Sequence, residues 1–224
     1  MLGSIDPGGP GPFHSRQKDF PAMPFYVRPF GTGQDHLVGK EFLWRGATPD
    51  LPTLGDLSDV YKKGDRLLNP EEVPRKLVLS KNPKARGAFV STDGIMIVPQ
   101  PIKDLIEELD PGVHQFFPIE VTRHNGTALD HPCFMMNVHV HQSSIIDAES
   151  EVRCAYGHEE DHQSMKLPVT QKVVTLDPAG LSGVNLWREN RYRHSLMLSD
   201  ALDRELRARK LKFFGRFKAR HARG

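Results

Sequence analysis

The string His158-Glu159-Glu160-Asp161-His162 fits the pattern HExxH, in which two histidines one helical turn apart hold zinc and the glutamate acts as general base. That chemistry needs a helix buried on its other faces, so that the metal sits in a partly dry cleft. Here the three middle residues are all acidic and the flanks are Gly157 and Gln163-Ser164, so the string reads as a solvated loop with two exposed histidines. His139 and His141 are two residues apart, which puts two imidazoles on one face of a strand. Seven of the eleven histidines lie between His114 and His162. A metal-dependent hydrolase using His139, His141, His158 and His162 is therefore a chemical alternative. It lacks a partner carboxylate at fixed short spacing between glycine turns, and a histidine-bearing polar strand face is the commoner arrangement.

Nucleophilic chemistry finds no support. There is no GxSxG, no serine or cysteine beside a recognisable base, and no phosphate-cradling glycine loop. Gly31-Thr32-Gly33 is most simply a turn. Cys133 and Cys154 are too few and too far apart for a disulfide framework or a structural zinc site, and Cys133 lies in a strand pattern that suits a small buried hydrophobe. The closing Lys212-Phe213-Phe214-Gly215-Arg216-Phe217-Lys218 interleaves aromatics with cations as nucleic-acid surfaces do, which makes a small nucleic-acid binder the second alternative. The same phenylalanines also fit a segment that closes the core, and the rest of the chain is acidic. Core closure is the favoured reading, and nucleic acid is not the expected partner.

The elements that must position these residues centre on Phe116 to Ser150. Phe116 to Val121 reads as a strand, His124-Asn125-Gly126-Thr127 as its turn, and Cys133 to His141 as the returning strand. In that strand Phe134, Met136, Val138 and Val140 alternate with Met135, Asn137, His139 and His141, which predicts one apolar face and one polar face open to a partner. Ahead of it, Ile102, Leu105, Ile106 and Leu109 recur at helical spacing behind Pro101, with Asp110-Pro111-Gly112 as the stop. Near the end, Ser199 is a natural N-cap, with Asp200 and Asp203 in the first turn, Arg207, Arg209 and Lys210 in the last, and Leu198, Ala201, Leu202 and Leu206 on the apolar side. Short strands are expected at Phe25–Val27, Leu77–Leu79, Ala88–Val90, Ile95–Val98 and over 169–176, a short apolar piece at Asn185–Arg188, and a polar surface loop over 154–168. Between Ala47 and Pro74 the chain reads as irregular, with at most one short helix near Leu54 to Tyr61.

The 224 residues allow one substantial core, and no run approaches the roughly 18 apolar residues of a membrane span. With no signal-peptide pattern either, a cytoplasmic protein is expected. Residues 1–24 are rich in glycine and proline and read as a flexible leader. Residues 25–220 read as a single α+β domain, a largely antiparallel sheet with two amphipathic helices packed on it and a basic C-terminal tail. The net charge of +2 hides an asymmetry: from Ala201 to Gly224 nine Lys or Arg stand against two acids, while the preceding 200 residues hold 21 basic and 26 acidic side chains.

Four segments, Ile95-Met96-Ile97-Val98 leading into the Pro101–Leu109 helix, Gln115-Phe116-Phe117-Pro118-Ile119-Glu120-Val121, Ile146-Asp147-Ala148-Glu149-Ser150, and the Leu198-Ser199-Asp200-Ala201-Leu202 helix followed by Leu211 to Phe217, resemble in order and spacing the bacterial polymorphic-toxin immunity proteins of immunity protein family 11. The resemblance spans most of residues 75–217. It implies a non-enzyme without cofactor or metal that binds a cognate protein toxin in the producing cell and covers its active site. If that toxin is basic, Asp147, Glu149, Glu151, Glu159, Glu160 and Asp161 are the natural contacts.

Overall fold

The computed structural model describes residues 25–27, 39–43, 60–61, 63–79, 87–91, 94–150, 153–154, 165–166, 174–190 and 192–221. In chain order the first elements are β1 (Phe25–Val27), β2 (Gly39–Leu43), β3 (Lys76–Leu79), β4 (Phe89–Val90), β5 (Met96–Pro99) and α1 (Gln100–Leu109). Then come β6 (Gln115–Thr122), β7 (Cys133–Asn137), β8 (His141–Gln142), β9 (Arg153–Cys154), β10 (Met165–Lys166) and β11 (Thr175–Leu176). The chain closes with β12 (Leu186–Glu189), β13 (Tyr192–Leu198), α2 (Asp200–Ala208), β14 (Arg216–Lys218) and β15 (Arg220–His221).

Two sheets dominate. One has six strands in the order β2-β3-β6-β7-β5-β4, the other five in the order β14-β1-β13-β12-β8, and β9·β10 and β11·β15 form small pairs. Pairing is antiparallel except at β3·β6, β8·β12 and β11·β15. This is an α+β single domain, as the alternation of short apolar runs with two helical periods predicts.

Both helices form where the period puts them, except that α2 ends at Ala208, so of the three basic residues expected in its last turn Arg207 is there, Arg209 is the C-cap and Lys210, at φ +53, lies beyond it. Pro101 stands in the first turn of α1, where its missing N–H costs nothing, and Ile102, Leu105 and Ile106 are buried. Ser199 caps α2 by accepting the Leu202 N–H at 3.1 Å. The helices share one core with one face of each large sheet: Met96, Val98, Met136 and Val138 from the six-stranded side, Leu186, Leu196 and Leu198 from the five-stranded side, and Leu202, Leu206 and Phe214 closing it. Each such side chain contributes about 1.5–3 kcal/mol by leaving water. Successive residues point to opposite faces, so each sheet buries a second core on its far side. Behind the six strands lie Leu77, Ile97, Val121, Cys133 and Met135 with Tyr61, Leu68 and Val73. Behind the five lie Val174, Leu176, Trp187, Met197 and Ala219.

This three-core arrangement corrects the expected polar face of the returning strand. Met135 belongs to the second core, and Asn137, 1% exposed, donates to Arg66 O at 3.0 Å and Gln115 Oε1 at 2.9 Å. The face is covered because Tyr61 to Val73 lies across it, held by Gln115, whose Oε1 accepts the Leu68 N–H at 2.8 Å and whose Nε2 donates to Leu68 O at 3.0 Å.

The returning strand also does not run through to His141. It leaves the six-stranded sheet after Asn137, crosses at Val138–Val140 and enters the five-stranded sheet as β8, parallel to β12. The crossing is built around Arg188, which is 0% exposed. Its Nε donates to Val138 O at 2.7 Å, its Nη2 to Tyr61 O at 3.0 Å, and its backbone N–H to Val140 O at 2.8 Å. Gly64, at φ +66, gives its N–H to Val60 O at 2.7 Å and passes so close that an added Cβ would lie 2.0 Å from Val138 O.

Other expectations fall as follows. Within the segment 154–168, Cys154 of β9 pairs with Met165 of β10, so the expected loop does not hold at these ends; residues 155–164 and 167–168 lie outside the described residues. Of the strand expected over 169–176, β11 covers Thr175–Leu176, Val174 is buried, and 169–173 lie outside. Most of the Leu54–Tyr61 helix, Gly31-Thr32-Gly33 and the leader 1–24 lie outside as well. Strand β13 has no counterpart in the sequence reading.

Candidate partner-binding surfaces

Of the six acidic residues expected to meet a partner, Asp147 and Glu149 are described; Glu151, Glu159, Glu160 and Asp161 lie outside the described residues. Asp147–Glu149 is a single 3-10 turn set against β11. The Ile146 N–H donates to Thr175 O at 3.0 Å, and Thr175 Oγ1 donates to Glu149 O at 2.9 Å, so the main chain beneath the acids is fixed. Glu149 is exposed and Asp147 half-buried. A fixed backbone under an exposed carboxylate presents charge without a main-chain ordering cost on binding.

Among the described residues the histidines do not assemble into a ligand set. His158 and His162 lie outside the described residues. His141 Nε2 is 3.0 Å from Gly64 O at the sheet crossing, whereas His139 turns towards His114, ring centroids 6.4 Å apart and nearly perpendicular. Burial lowers the His139 pKa, and the neighbouring His114 and His141 lower it further, so the ring is held neutral. Among the described residues no group of three or more His, Cys, Asp or Glu side chains is placed to hold a metal ion. Cys133 is buried, and burial with Asp130 nearby pushes its thiol up to about 11, which suits a core residue and not a nucleophile.

Near His114 sits a polar tie that the sequence reading missed. Asp110, just past the end of α1, accepts the Asn185 N–H at 2.8 and 2.9 Å, Asn185 Nδ2 at 2.8 Å and the Leu186 N–H at 3.0 Å, with His114 Nε2 3.5 Å away. The carboxylate thus fastens α1 to the start of β12. Burial alone would raise its pKa, but the nearby His114 and the hydrogen bonds from Asn185 outweigh burial and hold it below the ordinary value. A lowered folded pKa means stability that is complete above the unfolded value of about 3.9 and is lost as pH falls through the folded one. Asp110→Asn is expected to lower stability by about 2–3 kcal/mol at neutral pH, with the gap to wild type closing below about pH 4. Urea unfolding at a series of pH values checks both.

A cluster of charged side chains lies between α2 and β14. Asp203, 3% exposed, pairs with Arg207 Nε at 2.7 Å and Arg216 Nε at 2.5 Å. Around this pair an open groove of about 700 Å³ is lined by Asp200, Arg204, Arg207, Arg216, Phe217 and Lys218. The expectation for the tail aromatics holds: Phe214 is 3% exposed in the shared core, Phe213 packs against that core, and Phe217 packs against the third. The rings close the fold, and the cations stay outside. Arg209 adds a two-pronged pair to Glu108 at 2.9 and 3.0 Å, locking α2 to α1. No helix among the described residues is long and apolar enough to cross a membrane.

The surfaces described are charged faces on a scaffold with three cores, an arrangement suited to docking. No curated protein matches the chain. A family model does, over residues 32–217, a span that runs from ahead of β2 to within β14 and includes both helices and the corner at Arg188. With that span matched, the chain belongs to the Immunity protein family (Imm11).

Proposed function

We propose that this protein binds a cognate secreted toxin in the cytoplasm of the producing cell and covers its active site. The observation that carries the reading is the family match across residues 32–217. The scaffold is in keeping with it: each large sheet contributes side chains to two cores, and charged side chains border solvent. A pre-ordered surface loses little entropy on binding, and opposite charge on the partner speeds encounter and fixes register. The role requires no catalysis by this chain. Mixing the purified protein with the toxin encoded by the neighbouring reading frame should abolish the toxin's activity at equal stoichiometry; full toxin activity in excess protein would refute the role.

The acidic segment is the contact proposed for a basic toxin, through Asp147, Glu149, Glu151, Glu159, Glu160 and Asp161. Reversing Glu159, Glu160 and Asp161 to lysine is expected to weaken toxin binding by about tenfold or more, chiefly by slowing association. Titration calorimetry with association kinetics at two salt concentrations checks this. Binding unchanged by the three reversals would remove the segment from the interface.

A further inference from the structure

We propose that the groove between α2 and β14 is a second docking surface, of opposite sign to the acidic segment, and that it receives an acidic polypeptide segment of the partner. The inference rests on the immunity reading and adds to it the place and chemistry of a contact.

Three observations carry it. Two clefts adjoin: one of about 700 Å³ beside Asp203 and one of about 520 Å³ lined by Gly87, Leu211, Lys212 and Phe213, with Arg207 and Arg216 bordering both. Each alone falls in the range of about 300–1,000 Å³ typical of ligand clefts. Its direction follows from its lining. Arg216, Phe217 and Lys218 are successive residues of β14 and all three contribute, although successive strand side chains point to opposite faces, so the groove runs along the strand's outer edge and suits an extended chain. Its charge is preset. The buried Asp203 carboxylate holds Arg207 and Arg216, and Asp200 lies 3.9 Å from Arg204; the Arg204 and Arg207 side chains are 61% and 64% exposed, and Lys212 and Lys218 face solvent. Cations held by a buried carboxylate are already placed when a ligand arrives.

The same observations favour a polypeptide over nucleic acid. Binding single strands without sequence preference uses freely exposed rings for stacking, and here Phe214 is buried while Phe213 and Phe217 are half-buried against the cores and leave only part of each ring at the groove wall. Asp200 and Asp203 on the groove wall also oppose a continuous phosphate backbone, whereas a peptide can space its carboxylates to meet Arg204, Lys212, Arg216 and Lys218.

The test uses the full chain and a short fluorescent peptide alternating glutamate and valine, followed by anisotropy at low and raised salt. Controls are the matching lysine–valine peptide and an oligothymidylate of equal length. The variant Arg204→Glu/Lys212→Glu/Lys218→Glu changes exposed side chains only, and Arg204→Ala/Lys212→Ala/Lys218→Ala guards against effects of reversal itself; thermal melts establish that both are folded. The expected result is salt-sensitive binding of the acidic peptide, weakened about tenfold or more in the reversal variant and less in the alanine variant. No binding by the wild type, equal binding by the reversal variant, or tighter binding of the oligothymidylate would overturn the proposal. Protection of cells by the wild-type chain against the neighbouring toxin is scored in parallel. Loss of that protection defeats the immunity reading, whereas full protection with an unaltered reversal variant defeats the groove alone.

Discussion

Gly64→Ala is expected to lower stability by about 3 kcal/mol or more, a large fraction of the 5–15 kcal/mol by which domains are ordinarily stable. Two costs combine. Gly64 has φ +66, a left-handed conformation that costs a residue with a Cβ about 1–2 kcal/mol. The new Cβ would also lie 2.0 Å from Val138 O, 2.5 Å from Arg188 Nε and 2.9 Å from Arg188 Cδ. A flexible side-chain end could swing away, but Val138 O is main chain at the point where β7 leaves one sheet for the other. Relieving the clash therefore means moving the crossing. Urea unfolding followed by circular dichroism checks this, and an unchanged midpoint would contradict the account of the corner.

Arg188→Ala is expected to cost about 3–5 kcal/mol, the range for removing one member of a fully buried charged network. The guanidinium joins three stretches distant in sequence, Tyr61, Val138 and its own strand β12, and without it the carbonyls of Val138 and Tyr61 lose buried donors. Burial lowers the Arg188 pKa, with Asp65 opposing that effect, so charge is retained at a price that its hydrogen bonds offset. Lysine should not restore the loss, because a single ammonium cannot reproduce the planar fork that reaches two carbonyls. The double variant Gly64→Ala/Arg188→Ala should cost less than the two singles added, since removing Arg188 removes part of the alanine's clash. Strict additivity would show that the two residues do not share one corner.

Both helices were legible in the sequence because helical spacing, Pro101 and the Ser199 cap are local signals, and each is where those signals put it. The β6–β7 hairpin was legible for the same reason: Asn125 Oδ1 accepts the Thr127 N–H at 3.1 Å, and Gly126 takes φ +82. The end of β7 was not. Alternation continues unbroken through Val138 and Val140 because the chain passes from one buried environment to another, Val138 into the shared core and Val140 against the third. A period of two cannot reveal a change of sheet. Asn137 was read as a partner-facing residue because the stretch that covers it, Arg66 to Leu68, lies about 70 positions earlier in the chain.

The candidate surfaces were legible in charge and illegible in shape. Acidic residues near Asp147 and Glu159 and basic ones after Ala201 are plain in the sequence. The inward packing of the tail's rings was the favoured reading, but that its cations border a groove depends on Asp203 drawing Arg207 and Arg216 together across α2 and β14, and nothing in the spacing of those three residues announces it.

The most direct test of the central claim is growth of cells producing a candidate toxin from a neighbouring reading frame, with and without this chain. The account predicts that wild-type protein restores growth and is recovered in a stable complex with the toxin. Growth arrest that persists while the folded chain is abundant, with no complex recovered, would contradict it.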